Sequence, residues 1–319
     1  MSQIIHCPLC EQSDYTVLYE DLSDHLTGID GQFRLVVCKG CQLVYQNPQL
    51  DAAEIQQYYQ EDYVSYFRGT KNNLSLLQWF LLNYGLRKRA QPLLQDNKQG
   101  RLLDVGCATG HFLYYMQQHS AWQVYGLEPN AEAARFAQEQ FQLDVHVGYL
   151  EDKVFPDNYF DAVSLWDVFE HLSDPSHALE EIRRILKPNG LLVLRVPLIH
   201  SLDARLFGRY WIGLDQPRHY LLFSHKTLQQ MLTQASYRPV GYGPSSGSFF
   251  PFMLSLQSVL FTRWGRNRFT EALFKMMRSL PMRILSAPYF FIVDQLGLGP
   301  QGIVVAKVKK SVMTEAEHS

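Results

Sequence analysis

Short apolar runs alternate with segments of helical periodicity between about residues 99 and 245, and this alternation predicts an α/β domain. The runs LLDV, WQVYGLE, LDVHV and YFDAVSLWD have the length and the leucine and valine content of buried strands, and a fifth strand follows the Asn189-Gly190 turn. The segments AEAARFAQEQ and HALEEIRRIL are predicted helices, capped by Asn130 and by Asp174. Strands and helices in this order are typical of nucleotide-binding α/β folds.

The first of these strands ends in a turn that contains two glycines. RLLDVGCATG places Asp104 at the strand end, and Gly106 and Gly110 follow in a turn whose backbone N–H groups face a ligand. A Walker loop is excluded because no lysine follows Gly110, and a dinucleotide fingerprint is excluded because Ala108 replaces its middle glycine. The second strand ends at Glu128, where such folds place an acid on the ribose hydroxyls. These patterns predict a site for a nucleoside ligand without phosphates.

Four motifs carry a family resemblance: LLDVGCATGHF, VYGLEPN, FDAVSLWDVFEHLSDP and RRILKPNGLLVLRVP. In this order and spacing, over about residues 99–245, they resemble the class I S-adenosylmethionine-dependent methyltransferases. The resemblance implies a Rossmann-like fold with a mostly parallel seven-stranded sheet and helices on both faces. It also implies that Asp104, Gly106 and Gly110 hold the methionine part of S-adenosyl-L-methionine and that Glu128 holds its ribose.

Three further residues belong to the expected cofactor site. Cys107 lies inside the glycine turn and is interpreted as a small packing residue. Family members often carry an acid that contacts the adenine amine; this chain has Leu150 there, which we expect to form an apolar wall. Trp166 stands near the end of the fourth strand, at the edge of the sheet where ligands of open α/β folds bind.

Length and charge set the domain organisation and exclude some partners. A chain of 319 residues exceeds one such domain, so we expect appendages: a zinc-ribbon-like domain at 1–50, a helical linker or lid at 51–98, the methyltransferase domain at 99–311, and a disordered tail at 312–319. With 29 basic and 31 acidic residues, the chain shows no nucleic-acid footprint. The first residues lack a signal peptide pattern and no run is long enough to span a membrane, so we expect a cytoplasmic protein.

Two C-x-x-C pairs, Cys7 with Cys10 and Cys38 with Cys41, lie in the first 41 residues. Such paired knuckles suit one tetrahedral zinc ion, and the segment between them leaves room for a hairpin, as in a zinc ribbon. The role expected for zinc is structural, because fifty residues make a poor core on their own. Two disulfides or a lost metal site are the alternatives, and a reducing cytoplasm disfavours the disulfides.

The helical segment before the first strand has an aromatic face. Tyr58, Tyr59, Tyr63 and Tyr66 belong to it. Segments in this place often cover the cofactor in the resembled family, but an aromatic stripe packed on the sheet explains the pattern equally well. None of these tyrosines is therefore assigned to catalysis.

Glu170-His171 directly follows the fourth strand, near the expected methyl group. His171 is a candidate base, or with Glu170 a ligand of a divalent metal, as inferred for quinone O-methyltransferases that this stretch resembles. Because Glu-His is frequent here across the superfamily, a loop-fixing role is the preferred interpretation.

A long loop, FGRYWIGLDQPRHYLLFS, follows the fifth strand, and loops of this length are usually functional. Trp211, Asp215 and Arg218 suit a sugar, because a ring covers apolar C–H faces while charged groups bind hydroxyls or phosphates. His219 is the candidate base for an attacking hydroxyl. The alternative is a surface loop in which His219 only contacts Asp215. The segment also resembles a stretch of methyltransferases found with polysaccharide genes.

The leading functional hypothesis is O-methylation of a sugar hydroxyl in a nucleotide- or lipid-linked glycan. The alternatives are a methyltransferase for a lipid or quinone-like substrate, and a non-catalytic binding protein whose zinc ribbon recruits a partner. Residues 246–299 are predicted to be an amphipathic helical insertion before the last strand, with six basic residues against one acid between Arg263 and Arg283. We expect it to contact the cytoplasmic face of a membrane; packing on the core or a homodimer interface is the alternative.

Overall fold

Residues 2–59, 69, 73–95, 99–244 and 247–309 are described by the computed structural model of the protein. Tyr63, Tyr66 and the tail expected at 312–319 lie outside these ranges. The strands are β1 (Tyr15–Leu22), β2 (Phe33–Cys38), β3 (Val44–Gln46), β4 (Gly100–Val105), β5 (Trp122–Glu128), β6 (Asp144–Val147), β7 (Phe160–Trp166), β8 (Leu186–Pro197), β9 (Leu221–Leu222), β10 (Tyr237–Pro244) and β11 (Gln301–Val308). The α-helices are α1 (Ala52–Gln56), α2 (Leu76–Leu94), α3 (His111–His119), α4 (Ala131–Phe141), α5 (Pro175–Ile185), α6 (Leu202–Phe207), α7 (His225–Gln234), α8 (Phe249–Trp264), α9 (Arg268–Met277) and α10 (Leu280–Gln295).

A seven-stranded sheet with the order β6-β5-β4-β7-β8-β11-β10 forms the centre of the molecule. Strands β4 to β8 are parallel to one another, and β11 runs antiparallel to both β8 and β10. Successive residues of a strand face opposite sides, so Leu102 packs with α2 and α3 while Leu103 packs with α5 and α7. The structure thereby confirms the predicted α/β fold, a mostly parallel sheet with helices on both faces.

The N-terminal module, residues 2–50, shares a second sheet with the main domain. This sheet has the order β1-β2-β3-β9, and β9 comes from the loop ahead of α7. Val44 and Tyr45 of β3 pair with the two residues of β9. The module is therefore joined by backbone hydrogen bonds to the loop that carries His219.

Three helices, α8, α9 and α10, occupy the segment between β10 and β11. Met253, Leu260 and Phe274 form a small buried cluster of their own. Within the ranges that the structure describes, no helix is both long and apolar enough to cross a membrane.

Candidate functional site

A cavity of 1370 Å³ opens at the carboxyl ends of β4, β5 and β7. Its walls come from the glycine turn, the N-terminal module, α2, the 3₁₀ turn Phe169–His171, the loop ahead of β9, and α8. Open parallel sheets bind ligands at this edge. The cavity exceeds the usual size of a single small-molecule pocket, so it has room for a cofactor and an acceptor together.

The turn after β4 has a backbone that requires glycine at two positions. Gly106 has φ +68° and Gly110, the N-cap of α3, has φ +77°. A Cβ atom would stand 2.5 Å from Cγ2 of Val168 at Gly106 and 2.7 Å from Cβ of Ala137 at Gly110. The turn is therefore held close to its neighbours, and its residues from Gly106 to Thr109 line the cavity.

Two buried carboxylates, Asp104 and Glu128, lie beside this turn, and Glu128 bonds to its backbone. Asp104 is buried and accepts a hydrogen bond from Oγ of Ser164 at 2.6 Å, and burial raises its pKa to about 7. Glu128 accepts from the backbone N–H of Ala108 at 2.8 Å through Oε2 and from that of Asn130 at 2.9 Å through Oε1. Burial raises the pKa of Glu128 as well. Each oxygen of Glu128 can accept a second hydrogen bond, as a ribose diol requires.

The remaining predicted cofactor residues meet at the same cavity. Cys107, Leu150 and Trp166 are all buried and line it. Leu150 opens a 3₁₀ turn after β6, and the Trp166 ring packs edge-on against Phe112 with centroids 5.0 Å apart. Among the residues that the structure describes, Nε1 of Trp166 has no hydrogen-bond partner. Six of the seven predicted cofactor residues thus line one cavity, and the seventh, Gly110, lies in the same turn as the N-cap of α3.

His171 and His219 come from different loops and face each other. Their ring centroids are 4.6 Å apart, and the backbone N–H of Tyr220 donates to the carbonyl of Glu170 at 2.9 Å, which joins the two loops. Burial lowers the pKa of His171 to about 3 and holds that of His219 below its ordinary value, so both rings are neutral at pH 7. Burial also raises the pKa of Glu170 well above its ordinary range.

Trp211, Asp215 and Arg218 are the three predicted substrate-binding residues, and the environment of Arg218 differs from that of the other two. Its guanidinium is fully buried and donates to Asp215, to Asp24 of the N-terminal module and to the carbonyl of Tyr58. Trp211 and Asp215 line the cavity, and Trp211 is 2 % exposed. The bonds of Arg218 to Asp24, Asp215 and Tyr58 fix the loop, and substrate binding by Trp211 and Asp215 stays a prediction.

Sequence reasoning missed the buried partner Asp24 and a polar group beside Trp166. Arg195 forms a bidentate pair with Asp167, and Arg89 of α2 lies 3.9 Å from the same carboxylate. Asp24 gave no signal because its partner lies 194 residues away. Asp167 directly follows Trp166 in the motif at the end of the fourth strand, and this position was the sequence signal that could have placed Asp167 at the site.

The four N-terminal cysteines form one cluster. Their sulfur atoms all lie within 4.8 Å of one another, with Cys7 and Cys41 at 3.4 Å and Cys10 and Cys38 at 3.4 Å. The cysteines are not disulfide-bonded. A tetrahedral Zn–S bond of about 2.3 Å places the sulfurs about 3.8 Å apart, so the cluster fits one zinc ion with little movement.

Comparisons with known proteins identify the family of the domain that carries this cavity. The methyltransferase domain family matches residues 80–240. An uncharacterized methyltransferase of Schizosaccharomyces pombe is 33% identical over 106 residues, covering 29% of this chain and 38% of its own length. A demethylmenaquinone methyltransferase of Chlorobaculum parvum is 26% identical over 113 residues, 35% of this chain and 47% of its own length. The chain thus spans less than half of either relative.

The fold also has a solved counterpart. A protein from Galdieria sulphuraria, described as a sarcosine dimethylglycine methyltransferase, superposes with a TM-score of 0.51 at 13% identity and covers 81% of this chain and 97% of its own. Because the family matches half of the chain and its motif residues line one cavity, the chain belongs to the methyltransferase domain family, the class I S-adenosylmethionine-dependent methyltransferases that its motifs resemble.

Proposed function

We propose that the protein transfers the methyl group of S-adenosylmethionine to a sugar hydroxyl of a nucleotide- or lipid-linked glycan. The observation that carries the proposal is the shared cavity, in which the glycine turn and Glu128 face the same space as two neutral imidazoles. A cofactor site alone would also fit a binding protein. Imidazoles and a buried carboxylate at the acceptor side favour a catalyst.

The residues present fit the cofactor. Glu128 offers acceptors for two ribose hydroxyls, Gly106 and Gly110 let the turn pack closely against its neighbours, and Leu150 supplies an apolar surface for adenine. When bound, the cofactor supplies an electrophilic methyl carbon. The chain then has to hold the acceptor oxygen in line with that carbon, and such positioning supplies roughly 7–11 kcal/mol of a barrier.

Proton removal is the second task, and the loop histidines suit it. His219 donates from Nδ1 to the carbonyl of Gly213 at 2.8 Å, so its Nε2 lone pair is left to accept a proton from a hydroxyl. A positioned base contributes typically 10²–10⁴-fold. We therefore expect His219→Ala to lower turnover far more than cofactor affinity, and His171→Ala to lower both, because His171 donates to the carbonyl of Arg218 and supports the loop.

The acceptor side of the cavity combines polar and aromatic groups. Gln3 and Gln49 of the N-terminal module face it, together with Trp211 and Asp215. A flat ring beside amide and carboxylate groups suits the alternating C–H faces and hydroxyls of a sugar. This mixture supports a glycan acceptor.

A lipid or quinone-like acceptor is the second candidate. Phe250, Pro251 and Leu254 of α8 line the same cavity, so part of its wall is apolar. The relative from Chlorobaculum parvum is named for a quinone substrate, which favours the same class.

We also propose that α8, α9 and α10 bring the protein to an anionic membrane surface. Phe269, Met276, Leu280, Ile284 and Leu285 are each more than half exposed. The segment between Arg263 and Arg283 carries six basic residues and one acid, and each basic residue near an anionic surface contributes about 1 kcal/mol. Exposed apolar side chains with a basic rim suit interfacial attachment.

The membrane proposal is tested by cosedimentation with phosphatidylglycerol vesicles at low and high salt. We expect binding at low salt that weakens at high salt and in Arg268→Glu/Lys275→Glu, whereas Arg135→Glu, at an exposed position of α4, changes nothing. Absence of binding at low salt, together with a dimer in solution, would assign the surface to a second copy of the chain.

The proposed reaction is tested in two stages. Calorimetry should show binding of S-adenosylmethionine and S-adenosylhomocysteine that is lost in Glu128→Ala and kept in Glu139→Ala, an exposed acid on α4. Labelled methyl transfer to cell fractions should then appear in nucleotide sugars or lipid-linked oligosaccharides. Label that enters only quinones or simple lipids would move the assignment to the second candidate, and binding without transfer to any fraction would contradict an enzyme.

A further inference from the structure

Two guanidinium groups share one carboxylate on the cavity wall. Arg195, near the end of β8, forms a bidentate pair with Asp167, which directly follows β7. Arg89 comes from α2, and its Nη2 lies 3.9 Å from Oδ2 of the same carboxylate. Arg195 is 6 % exposed, Arg89 is half-buried, and all three residues line the cavity. We call Arg89, Arg195, Asp167 and the neighbouring Trp166 the arginine cluster.

The carboxylate of Asp167 is largely engaged by groups other than Arg89. Its Oδ1 accepts from Nε of Arg195 at 2.9 Å and from Nε2 of Gln301 at 2.7 Å, and its Oδ2 accepts from Nη2 of Arg195. The gap of 3.9 Å to Arg89 is too long for a hydrogen bond. Asp104 is a further acid near both guanidiniums, but burial raises its pKa to about 7, so it is only partly ionised at pH 7. These two arginines and two acids therefore carry a net positive charge.

The indole of Trp166 borders both guanidiniums. Cζ of Arg89 lies 5.9 Å from the ring centroid and Cζ of Arg195 lies 6.0 Å from it, within the range of cation–π contacts. Trp166 is 7 % exposed, and its Nε1 has no hydrogen-bond partner within the part of the chain that the structure describes. A buried N–H without an acceptor costs free energy, so an anion at the arginine cluster would satisfy this donor as well as the cations.

The arginine cluster lies beside the place where the methyl group is transferred in the proposed reaction. A Cβ on Gly106 would stand 2.5 Å from Cγ2 of Val168, so the segment after β7 contacts the glycine turn. His171 follows three residues after Val168, and its ring faces that of His219. Strand β8, which carries Arg195, adjoins β7 on the side away from β4 and β5, whose ends are assigned to the cofactor. This position favours the acceptor as the ligand of the cluster.

We propose that Arg89, Arg195 and the indole N–H of Trp166 bind an anionic group of the acceptor, a carboxylate or a phosphate. The inference rests on the proposed methyl transfer and names the chemical class of its acceptor. Planar guanidinium groups donate paired hydrogen bonds to either anion. The sulfonium of a bound cofactor adds a positive charge, so an anionic acceptor also complements the loaded cavity. Arg218, which the sequence predicts for this task, is bonded to other carboxylates.

Calorimetric titration of the full-length protein, saturated with S-adenosylhomocysteine, tests the subsite with two probes, pyrophosphate and glucuronate. We expect at least one of them to bind at one site per chain, and to bind at least about ten-fold more weakly in Arg89→Gln and in Arg195→Gln. Arg87→Gln, at an exposed position of the same helix, is the matched control and should bind like the wild type. Tighter binding of pyrophosphate would place the anion in a nucleotide or lipid carrier, and tighter binding of glucuronate would place it on the sugar.

Circular dichroism shows whether each variant is folded, and Arg89→Gln keeps the test valid if Arg195→Gln does not fold. Equal anion affinity in Arg89→Gln and wild type, or no binding of either anion to the wild type, would overturn the subsite. An equally large loss of S-adenosylhomocysteine affinity in Arg89→Gln would assign the arginines to the carboxylate of the cofactor and overturn the acceptor assignment. Absence of methyl transfer to every cell fraction would contradict the proposed function instead, and the anion titrations stay readable because they need no transfer.

Discussion

Replacing Arg218 with methionine removes a cation that bonds to two buried carboxylates, Asp24 and Asp215. All five N–H groups of its guanidinium donate hydrogen bonds. The Nε hydrogen is shared between both oxygens of Asp215, so the five groups make six bonds: three to Asp215, two to Asp24 and one to the carbonyl of Tyr58. The side chains of Asp24 and Arg218 are fully buried and that of Asp215 nearly so. Breaking a buried ion pair by removing one partner costs about 3–5 kcal/mol, because a charge is left without compensation.

Replacing Arg218 removes a larger share of the hydrogen bonds of Asp215 than of Asp24. Asp24 keeps hydrogen bonds from the backbone N–H groups of Leu26 and Thr27 and from Oγ1 of Thr27, whereas Asp215 loses the three hydrogen bonds that Arg218 donates to it. We therefore expect Arg218→Met to lower the free energy of unfolding by about 3–5 kcal/mol, not by twice that amount.

Urea unfolding followed by tryptophan fluorescence measures the change, since Trp211 is buried in the same loop. Arg209→Met is the matched control: that guanidinium donates to the backbone carbonyls of Glu20 and Asp21 at the surface, and we expect a loss below about 1 kcal/mol. The triple variant Arg218→Met/Asp24→Asn/Asp215→Asn removes the orphaned charges and should recover part of the loss. A loss in Arg218→Met no larger than in Arg209→Met would refute this account of the buried network.

Metal analysis should find about one zinc per chain held by the cysteine cluster in the wild type and a strongly reduced content in Cys38→Ser, with lower stability; a folded Cys38→Ser with full zinc content would contradict the site. Asp104→Asn should be more stable than wild type at pH 8, by at most about 4 kcal/mol. The folded-state pKa of Asp104, about 7, exceeds its unfolded value, so the wild type loses stability as the pH rises from the unfolded pKa to the folded pKa. The difference should vanish near pH 4, and urea titrations that show it growing toward low pH would reverse the argument. Gly110→Ala should lose S-adenosylmethionine affinity in calorimetry, since its Cβ meets Ala137 at 2.7 Å, while Gly241→Ala, with only ordinary contacts, should keep it; equal affinities would show that the turn tolerates a side chain.

The cofactor half of the site follows from local sequence. Asp104, Gly106 and Gly110 stand within seven residues, and their positions are set by a strand end and a turn between neighbouring elements. Glu128 closes the next strand, and parallel neighbours bring their carboxyl ends to one edge. The two C-x-x-C pairs are similarly local knuckles, although only the hairpin between them brings the pairs together.

The acceptor half depended on contacts between distant parts of the chain. His219 meets Glu170 and His171 because β9 pairs with β3 and because Tyr220 bonds to the carbonyl of Glu170. From its residue type alone, Arg218 is predicted to bind a sugar hydroxyl, but in the structure it is fully buried and bonds to Asp24 and Asp215. Side-chain chemistry and short spacing in the sequence determine which groups are available. Burial and the choice of partner are set by packing between segments up to 194 residues apart. Desolvation then decides which charges are paired and which nitrogens keep a lone pair.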